Sequence, residues 1–166
     1  MMKSLWNWLR VFFAARDFDK IKVKGVVTVR VLDRNGRLLY EETGENLIVN
    51  QGKQYLLANI LNETTRYNGA YIAISSSSSQ PSADETTVPN LISAKTATKT
   101  KQINNTPYYA QWSATWGTDE ANGNTISSVA ICEASNGSGE WSRYVLSNPI
   151  NKTSDIAVQI DYRYQL

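Results

Sequence analysis

The sequence predicts a mainly β protein, an antiparallel β-sandwich of the jelly-roll or Ig-like kind with two short helices. Apolar and polar residues alternate in most segments after residue 20, as in strands with one buried face. Turn-forming residues separate these segments at short intervals. Helical spacing is found in an amphipathic stretch at the amino end and in one internal stretch. We therefore expect an amino-terminal helix over residues 1–19 and a single sandwich domain over residues 20–166.

The amino-terminal stretch MMKSLWNWLRVFFAARDFD is predicted to be an amphipathic helix that anchors the domain to another protein. Large apolar residues share one face, while Lys3, Asn7 and Arg10 fall mainly on the opposite side. Tryptophan and phenylalanine are the anchors that dominate many protein interfaces. The expected interface residues are Leu5, Trp6, Trp8, Leu9, Phe12 and Phe13.

Two alternatives for this helix remain open. It covers a face of its own domain, or it lies on a membrane surface, for which its few cationic residues are thin support. A membrane span is not expected, because the apolar stretch is short and Arg10 interrupts it.

The sandwich domain is expected to begin with a β-hairpin. In IKVKGVVTVRV the residues Val27, Val29 and Val31 share one face with the preceding apolar residues. The pair Asn35-Gly36 predicts a two-residue hairpin turn, and LLYEETG is the returning strand.

A short helix is expected next, capped by Asn50, with Tyr55, Leu56, Ile60 and Leu57 turned towards the core. AYIAI then predicts a compact strand. The serines that follow, Ser75–Ser79, are predicted to leave the sheet and cross its edge, because serine competes for backbone hydrogen bonds.

The second half of the chain is predicted to supply most of the remaining strands, for a total of around eight. KTATKTKQINNT predicts one exposed strand plus a turn, and YYAQWSATW predicts a strand with Tyr108, Trp112 and Trp116 on one side. Three further strands are expected in TISSVAICEA, WSRYVLS and DIAVQIDYRYQL.

Composition argues against several kinds of chemistry. The net charge is +2, and the basic residues are mostly scattered, so nucleic-acid binding is not expected. The chain has no histidine, which removes the commonest general base and metal ligand. The single cysteine, Cys132, cannot form an internal disulfide and is expected to be buried. No cofactor or metal is expected.

Two functional alternatives remain in the second half of the chain. Asp119, Glu120, Glu133 and Glu140 are candidates for the paired carboxylates of a glycosidase, but we interpret them as loop charges and expect no enzyme. Aromatic side chains can also stack on sugar rings, although they more often fill a core. The candidate glycan contacts, with a host-surface glycan as ligand, are Trp112, Trp116 and Trp141.

The order of these landmarks resembles a family of small virion proteins from tailed bacteriophages. The similar stretches are ENLIVNQGKQYLLANIL, YIAISSSSSQPSADETTVPNLIS, ISSVAICEA and SRYVLSNPINKTSDIAVQIDYRY, and the resemblance covers about residues 44–166. The family's turn after the YIAI strand is usually rich in glycine, whereas this chain has the serine run. The family also tends to have a glycine after the residue that matches Glu133, where this chain has Ala134.

This resemblance implies a non-enzymatic structural protein of a phage particle. It implies a place in the virion, assembled in the host bacterial cytoplasm, in the tail, fibre or baseplate. The alternatives are a capsid-decoration or head–tail connector protein, or a carbohydrate-binding host-recognition module. The implied partners are other virion proteins and further copies of the same chain in a homo-oligomer. The amphipathic helix would then dock the β-domain onto its neighbours.

Overall fold

The computed structural model describes residues 23–60 and 67–165. The expected amino-terminal helix, with its six interface residues, and the side chain of Ile60 lie outside the described residues. The elements are β1 (Lys24–Asp33), β2 (Leu38–Glu45), β3 (Leu47–Ile48), α1 (Asn50–Ile60), β4 (Tyr71–Ser75), β5 (Leu91–Thr96), β6 (Thr98–Gln102), β7 (Tyr109–Trp116), β8 (Thr125–Cys132), β9 (Glu140–Asn151) and β10 (Ile156–Gln165).

The strands form two antiparallel sheets, which confirms the mainly β class and the antiparallel pairing. The first sheet has the order β2-β1-β10-β7-β6, and the second has the order β3-β9-β8-β4-β5. The chain passes between the sheets after β2, β5, β7 and β9. The helix α1 is the single helix within the described ranges and contacts β9.

Side chains of both sheets share one hydrophobic core. The indole rings of Trp112 and Trp141 come from different sheets, and their centroids are 6.1 Å apart. The hydroxyl of Tyr162 donates to the backbone oxygen of Val129 across the core at 2.5 Å. Because the core is filled from both sides, the alternating valines of β1 and the aromatic residues of β10 are almost fully buried.

The β1–β2 hairpin turns where the sequence predicted, at an exposed end of the domain, but residues 34–37 lie between the strands instead of the expected two residues. Gly36 has a φ of 78°, a left-handed conformation that favours glycine. The carboxylate of Asp33 accepts hydrogen bonds from the backbone N–H groups of Asn35 and Arg37, both at 2.9 Å. These local bonds help to close the turn, and Arg34 also links it to the β9–β10 connection by an ion pair with Asp155 at 2.8 Å.

The segment predicted as one exposed strand over residues 95–106 is in fact divided between two sheets. Its first two residues end β5 in the second sheet, and residues 98–102 form β6 in the first. Ala97, which is buried, makes the crossing and donates its N–H to the oxygen of Ala70 at 2.9 Å. The alternation of small and polar residues continues through this point, so the pattern carries no signal of the crossing. Tyr108 lies before β7 and is 44% exposed.

The serine run leaves the second sheet where the sequence predicted, because β4 ends at Ser75. It is nevertheless packed and bonded. Ser75 and Ser77 are buried. The Ser75 hydroxyl donates to the oxygen of Pro89 at 2.5 Å and accepts the N–H of Ser77 at 2.9 Å. These local bonds give the serines a structural task in holding the β4–β5 connection against the sheet.

Candidate functional site

An apolar groove lies between α1 and the edge of the first sheet formed by β6 and β7. Its main part has a volume of about 760 Å³. A continuation of about 310 Å³ runs towards the first described residue, Val23. Leu56, Lys101 and Ala110 line both parts, so the two form one continuous depression. We call it the α1–β6 groove.

Helix α1 is fixed as one wall of this groove by contacts at its start. The N–H of Asn50 donates to the oxygen of Ala83 at 2.7 Å, and its side-chain amide donates to Asp84 at 2.9 Å. A Cβ at Gly52 would overlap the backbone of Trp141, so the helix approaches β9 closely only because this residue is glycine. The glycine that weakens the helix on propensity alone is the residue that lets it pack.

The floor of the groove is aromatic. The rings of Tyr55 and Tyr67 are stacked, with centroids 4.0 Å apart and planes 15° apart. Tyr55 also contacts Trp141, at 5.7 Å between centroids. Trp112 lies between Trp141 and Tyr164, whose centroids are 6.1 and 5.2 Å from its own. Such tilted and stacked pairs make a rigid apolar floor.

The carboxylate of Glu133 forms hydrogen bonds with several residues at this floor. Oε1 of Glu133 accepts the N–H of Asn68 at 2.9 Å, the N–H of Gly69 at 2.7 Å and the indole N–H of Trp141 at 2.6 Å. The indole N–H of Trp112 donates to the backbone oxygen of Asn68 at 2.9 Å. Glu133 therefore positions residues 67–69 and Trp141. These hydrogen bonds give its carboxylate a role in holding the structure together.

The rim of the groove is polar and positively charged. Lys99 donates to the side-chain oxygen of Asn68 at 2.7 Å. Lys101 is exposed on the neighbouring position of the same face of β6. Gln111 completes the rim and accepts a hydrogen bond from Arg163 at 2.8 Å. A groove with an apolar floor and a basic rim suits an apolar segment that carries nearby negative charge.

The three tryptophans expected as alternative glycan contacts are all buried. Trp112 is 8% exposed, and Trp116 and Trp141 are each 1% exposed. Trp112 and Trp141 line the groove, whereas the indole N–H of Trp116 donates to Ser93 elsewhere in the core at 3.2 Å. Stacking on a sugar needs an exposed ring face, so this arrangement favours the core role for all three.

A buried ionic cluster joins β9 to the loop after the serine run. Arg143 is fully buried, and its guanidinium donates to the oxygen of Ser79 at 2.8 Å, to the carboxylate of Glu85, and to Glu140 at 3.4 Å. Glu140 is also fully buried, and burial raises its pKa to about 7 although Arg143 opposes the shift. The cluster fastens the loop after the serine run to β9.

The four carboxylates considered for glycoside hydrolysis have separate tasks. Glu120 pairs with Lys95 at 2.7 Å and accepts the N–H of Gly117, contacts that lower its pKa. Asp119 lies beside it in the β7–β8 connection. Glu133 and Glu140 lie at the opposite end of β8. Glu133 bonds Trp141 in the groove floor, and Glu140 belongs to the Arg143 cluster. The structure does not bring the four together as one set.

Other expected features were also located. Cys132 is fully buried, as predicted, and burial raises the pKa of its thiol to about 12. Within residues 23–60 and 67–165, no three His, Cys, Asp or Glu side chains are grouped in a way that suits a metal ion. The helix in this part of the chain is not long and apolar enough to cross a membrane.

Comparison of the chain with protein-family models, with curated proteins and with solved structures gives no significant match.

Sequence reasoning missed the groove and the ionic cluster. The alternation in β7 placed Ala110 on the face of Trp112, and a small residue between large ones was the available signal for a depression. Ile103 was missed because it lies in a turn after β6. Arg143 carried a signal as well, since a cation in an apolar strand pattern is rarely buried without a partner.

Proposed function

We propose that this chain is a non-enzymatic structural protein of a tailed-bacteriophage particle. Its two sheets form a β-sandwich that acts as the building block. The amphipathic segment defined by Leu5, Trp6, Trp8, Leu9, Phe12 and Phe13 docks the sandwich onto a neighbouring virion protein. A tail, fibre or baseplate position is proposed first, and capsid decoration or head–tail connection second. The resemblance to small phage virion proteins over residues 44–166 supports the proposal that the chain is part of a phage particle.

One observation supports the docking role above the others. The core described above is built by residues from Val27 to Tyr164, and its aromatic and aliphatic side chains pack against one another. Residues 5–13, which precede the core residues in the sequence, carry a further strongly apolar face. A strongly apolar face that precedes a domain with its own hydrophobic core is suited to a partner.

The expected strength of docking is sufficient for assembly when copies are repeated. Burial of each large apolar side chain contributes about 1.5–3 kcal/mol, so the six anchors have a gross gain on the order of 10 kcal/mol. Association entropy offsets a large share of this gain. Several copies held in one particle would bind with higher avidity than one copy alone.

The test is a pair of full-length variants. Trp8→Asp combined with Phe12→Asp places charge on the apolar face, and Lys3→Asp combined with Asn7→Asp is the control on the polar side. Sedimentation velocity measures self-association, and urea unfolding measures stability. We expect the apolar-face variant to lose association and keep its unfolding midpoint, while the control behaves as the unmodified chain.

The opposite pattern would refute the docking role. If the unmodified chain is a monomer and the apolar-face variant unfolds at lower urea, the segment packs on its own domain.

A further inference from the structure

We propose that the α1–β6 groove is the acceptor for the amphipathic segment Leu5–Phe13 of a second copy of this chain. The proposal rests on the docking role above, because it names the partner and the surface. Each copy then both donates a segment and accepts one.

The size and lining of the groove fit this occupant. An α-helix of about ten residues is about 15 Å long, and its apolar stripe needs an elongated depression and not a closed pocket. The groove continues from its main part of about 760 Å³ into the part of about 310 Å³. Its lining combines aliphatic Leu56 with aromatic Trp112 and Tyr109, which suits tryptophan and phenylalanine anchors.

Large apolar side chains at the groove are left in water in the described structure. Ile103 is 62% exposed and Tyr108 is 44% exposed, and both line the groove. On the adjacent surface of α1, Leu57 is 59% exposed. Clustered exposure of this kind is typical of an interaction surface. A covering helix would remove these side chains from water.

Two acidic residues after the segment can pair with the basic rim of the groove. Lys99 and Lys101 are on the rim, and both side chains belong to the edge strand β6. Asp17 and Asp19 follow the segment in the sequence, while Arg16, Lys20 and Lys22 leave residues 14–22 with a net charge of +1. Pairs between these aspartates and the rim lysines would help to orient the segment and would be weakened by salt.

The connection between segment and domain favours a second copy. Val23, where the described chain begins, lines the groove, so the segment enters the domain at this surface. The nine residues 14–22, AARDFDKIK, reach about 30 Å when extended, and Asp17 and Asp19 are their turn-forming residues. Reversal of the chain into its own groove requires a turn within these nine residues. An extended connection instead carries the segment away from its own groove and towards a neighbour.

Reciprocal exchange gives a contact of the size that stable dimers have. Aromatic side chains bury about 150–250 Å² each, so Trp6, Trp8, Phe12 and Phe13 together bury on the order of 800 Å². A standard interface buries about 800 Å² on each partner. Two copies that exchange segments around a two-fold axis make this contact twice.

The first test changes the groove in the full-length chain. Ile103→Asp places a charge on the exposed groove lining, and Leu39→Asp is the matched control, because Leu39 is 51% exposed on the opposite edge strand of the same sheet. We expect Ile103→Asp to weaken self-association in sedimentation velocity about tenfold or more and Leu39→Asp to leave it unchanged. Equal association of both variants would overturn the proposal.

The second test identifies which copy supplies the segment. Leu9→Cys combined with Lys101→Cys is oxidised, with Leu9→Cys combined with Arg37→Cys as the control at the far end of the domain. The native Cys132 is buried and does not compete. We expect a disulfide-linked dimer for the groove pair and little for the control.

Each other outcome is distinct. A cross-link within a single chain would mean that the groove takes its own segment, which overturns the second-copy proposal. Equal dimer from both pairs would mean unspecific contact and overturns it too. If the full-length chain associates through its segment while the groove variants have no effect, the groove is not the acceptor and the docking role stands. If the chain is monomeric and Trp8→Asp with Phe12→Asp lowers its unfolding midpoint, both proposals fail.

Discussion

Replacement of Glu140 by glutamine should remove much of the pH dependence of stability between pH 5 and pH 8. Glu140 is fully buried in β9, and its neighbours include the guanidinium of Arg143, which lies 3.4 Å away, and the carboxylate of Glu85. Burial raises its pKa from 4.5 to about 7, with a further upward contribution from Glu85 and an opposing one from Arg143. The other carboxylates with resolved pKa shifts have lowered values.

The sign and size follow from linkage between protonation and folding. A carboxyl group with a raised pKa in the folded state keeps its proton to a higher pH than in the unfolded chain. Its contribution to the free energy of unfolding is therefore fully present below pH 4.5 and is lost as the pH rises through about 7. The difference between these pKa values corresponds to about 3 kcal/mol, and roughly 2 to 3 kcal/mol of it falls between pH 5 and pH 8.

Urea unfolding at a series of pH values measures this contribution. The chain has no histidine, so no histidine titrates in the same window. Glu45→Gln is the control, because Glu45 is an exposed carboxylate on the edge strand β2 and pairs with Lys24. We expect the unmodified chain and Glu45→Gln to lose stability as the pH rises, and Glu140→Gln to lose much less. An equally steep loss in Glu140→Gln would refute the assignment.

Three other measurements test the described structure. Glu42→Ala should lower the free energy of unfolding by about 2–3 kcal/mol, because the carboxylate accepts hydrogen bonds from Tyr144 and Ser147 of the facing sheet, at 2.6 and 2.8 Å. Gly69→Ala should lower the free energy of unfolding by about 1–3 kcal/mol, and with it the thermal unfolding midpoint. Gly69 has a φ of +57°, and the added Cβ would lie 2.7 Å from a methyl group of Ile131. The Cys132 thiol should react with a chromogenic disulfide reagent only as fast as the chain unfolds, since it is buried with a pKa of about 12.

These three predictions fail in different ways. An unchanged unfolding midpoint for Glu42→Ala would mean that the contact between the sheets contributes little. An unchanged midpoint for Gly69→Ala would mean that the 67–69 segment shifts without cost. Fast labelling of Cys132 in the absence of urea would mean that β8 opens locally.

Part of the fold was predictable because strands such as β1 and β10 carry a period of two. The valines of β1 and the alternating residues of β10 indicated their buried faces directly, and Asn35-Gly36 indicated the turn between β1 and β2. The crossing at Ala97 was not predictable in this way, since a strand that changes sheets keeps the same alternation on both sides. Pairing between distant strands depends on contacts that a local pattern does not contain.

The candidate site was less predictable than the fold. Trp112 and Trp141 were identified as large aromatics, but their place in the groove floor depends on Gly52, which lets α1 approach β9, and on Glu133, which holds the 67–69 segment. These residues act across long sequence separations. The sequence pattern therefore indicated large aromatic residues such as Trp112 and Trp141, but it did not indicate that they lie together in a groove.

The exposed turn between β1 and β2 is a position at which a label can be inserted into the chain. A Cβ at Gly36 would meet no atom within 4 Å, and Asp33 holds the turn with local bonds. A short epitope inserted after Asn35 would lengthen a surface loop, which costs little because loop-closure entropy grows slowly with length. Antibody fragments bound to that epitope would mark each copy in electron micrographs, and the spacing and handedness of the marks would reveal how the copies are arranged.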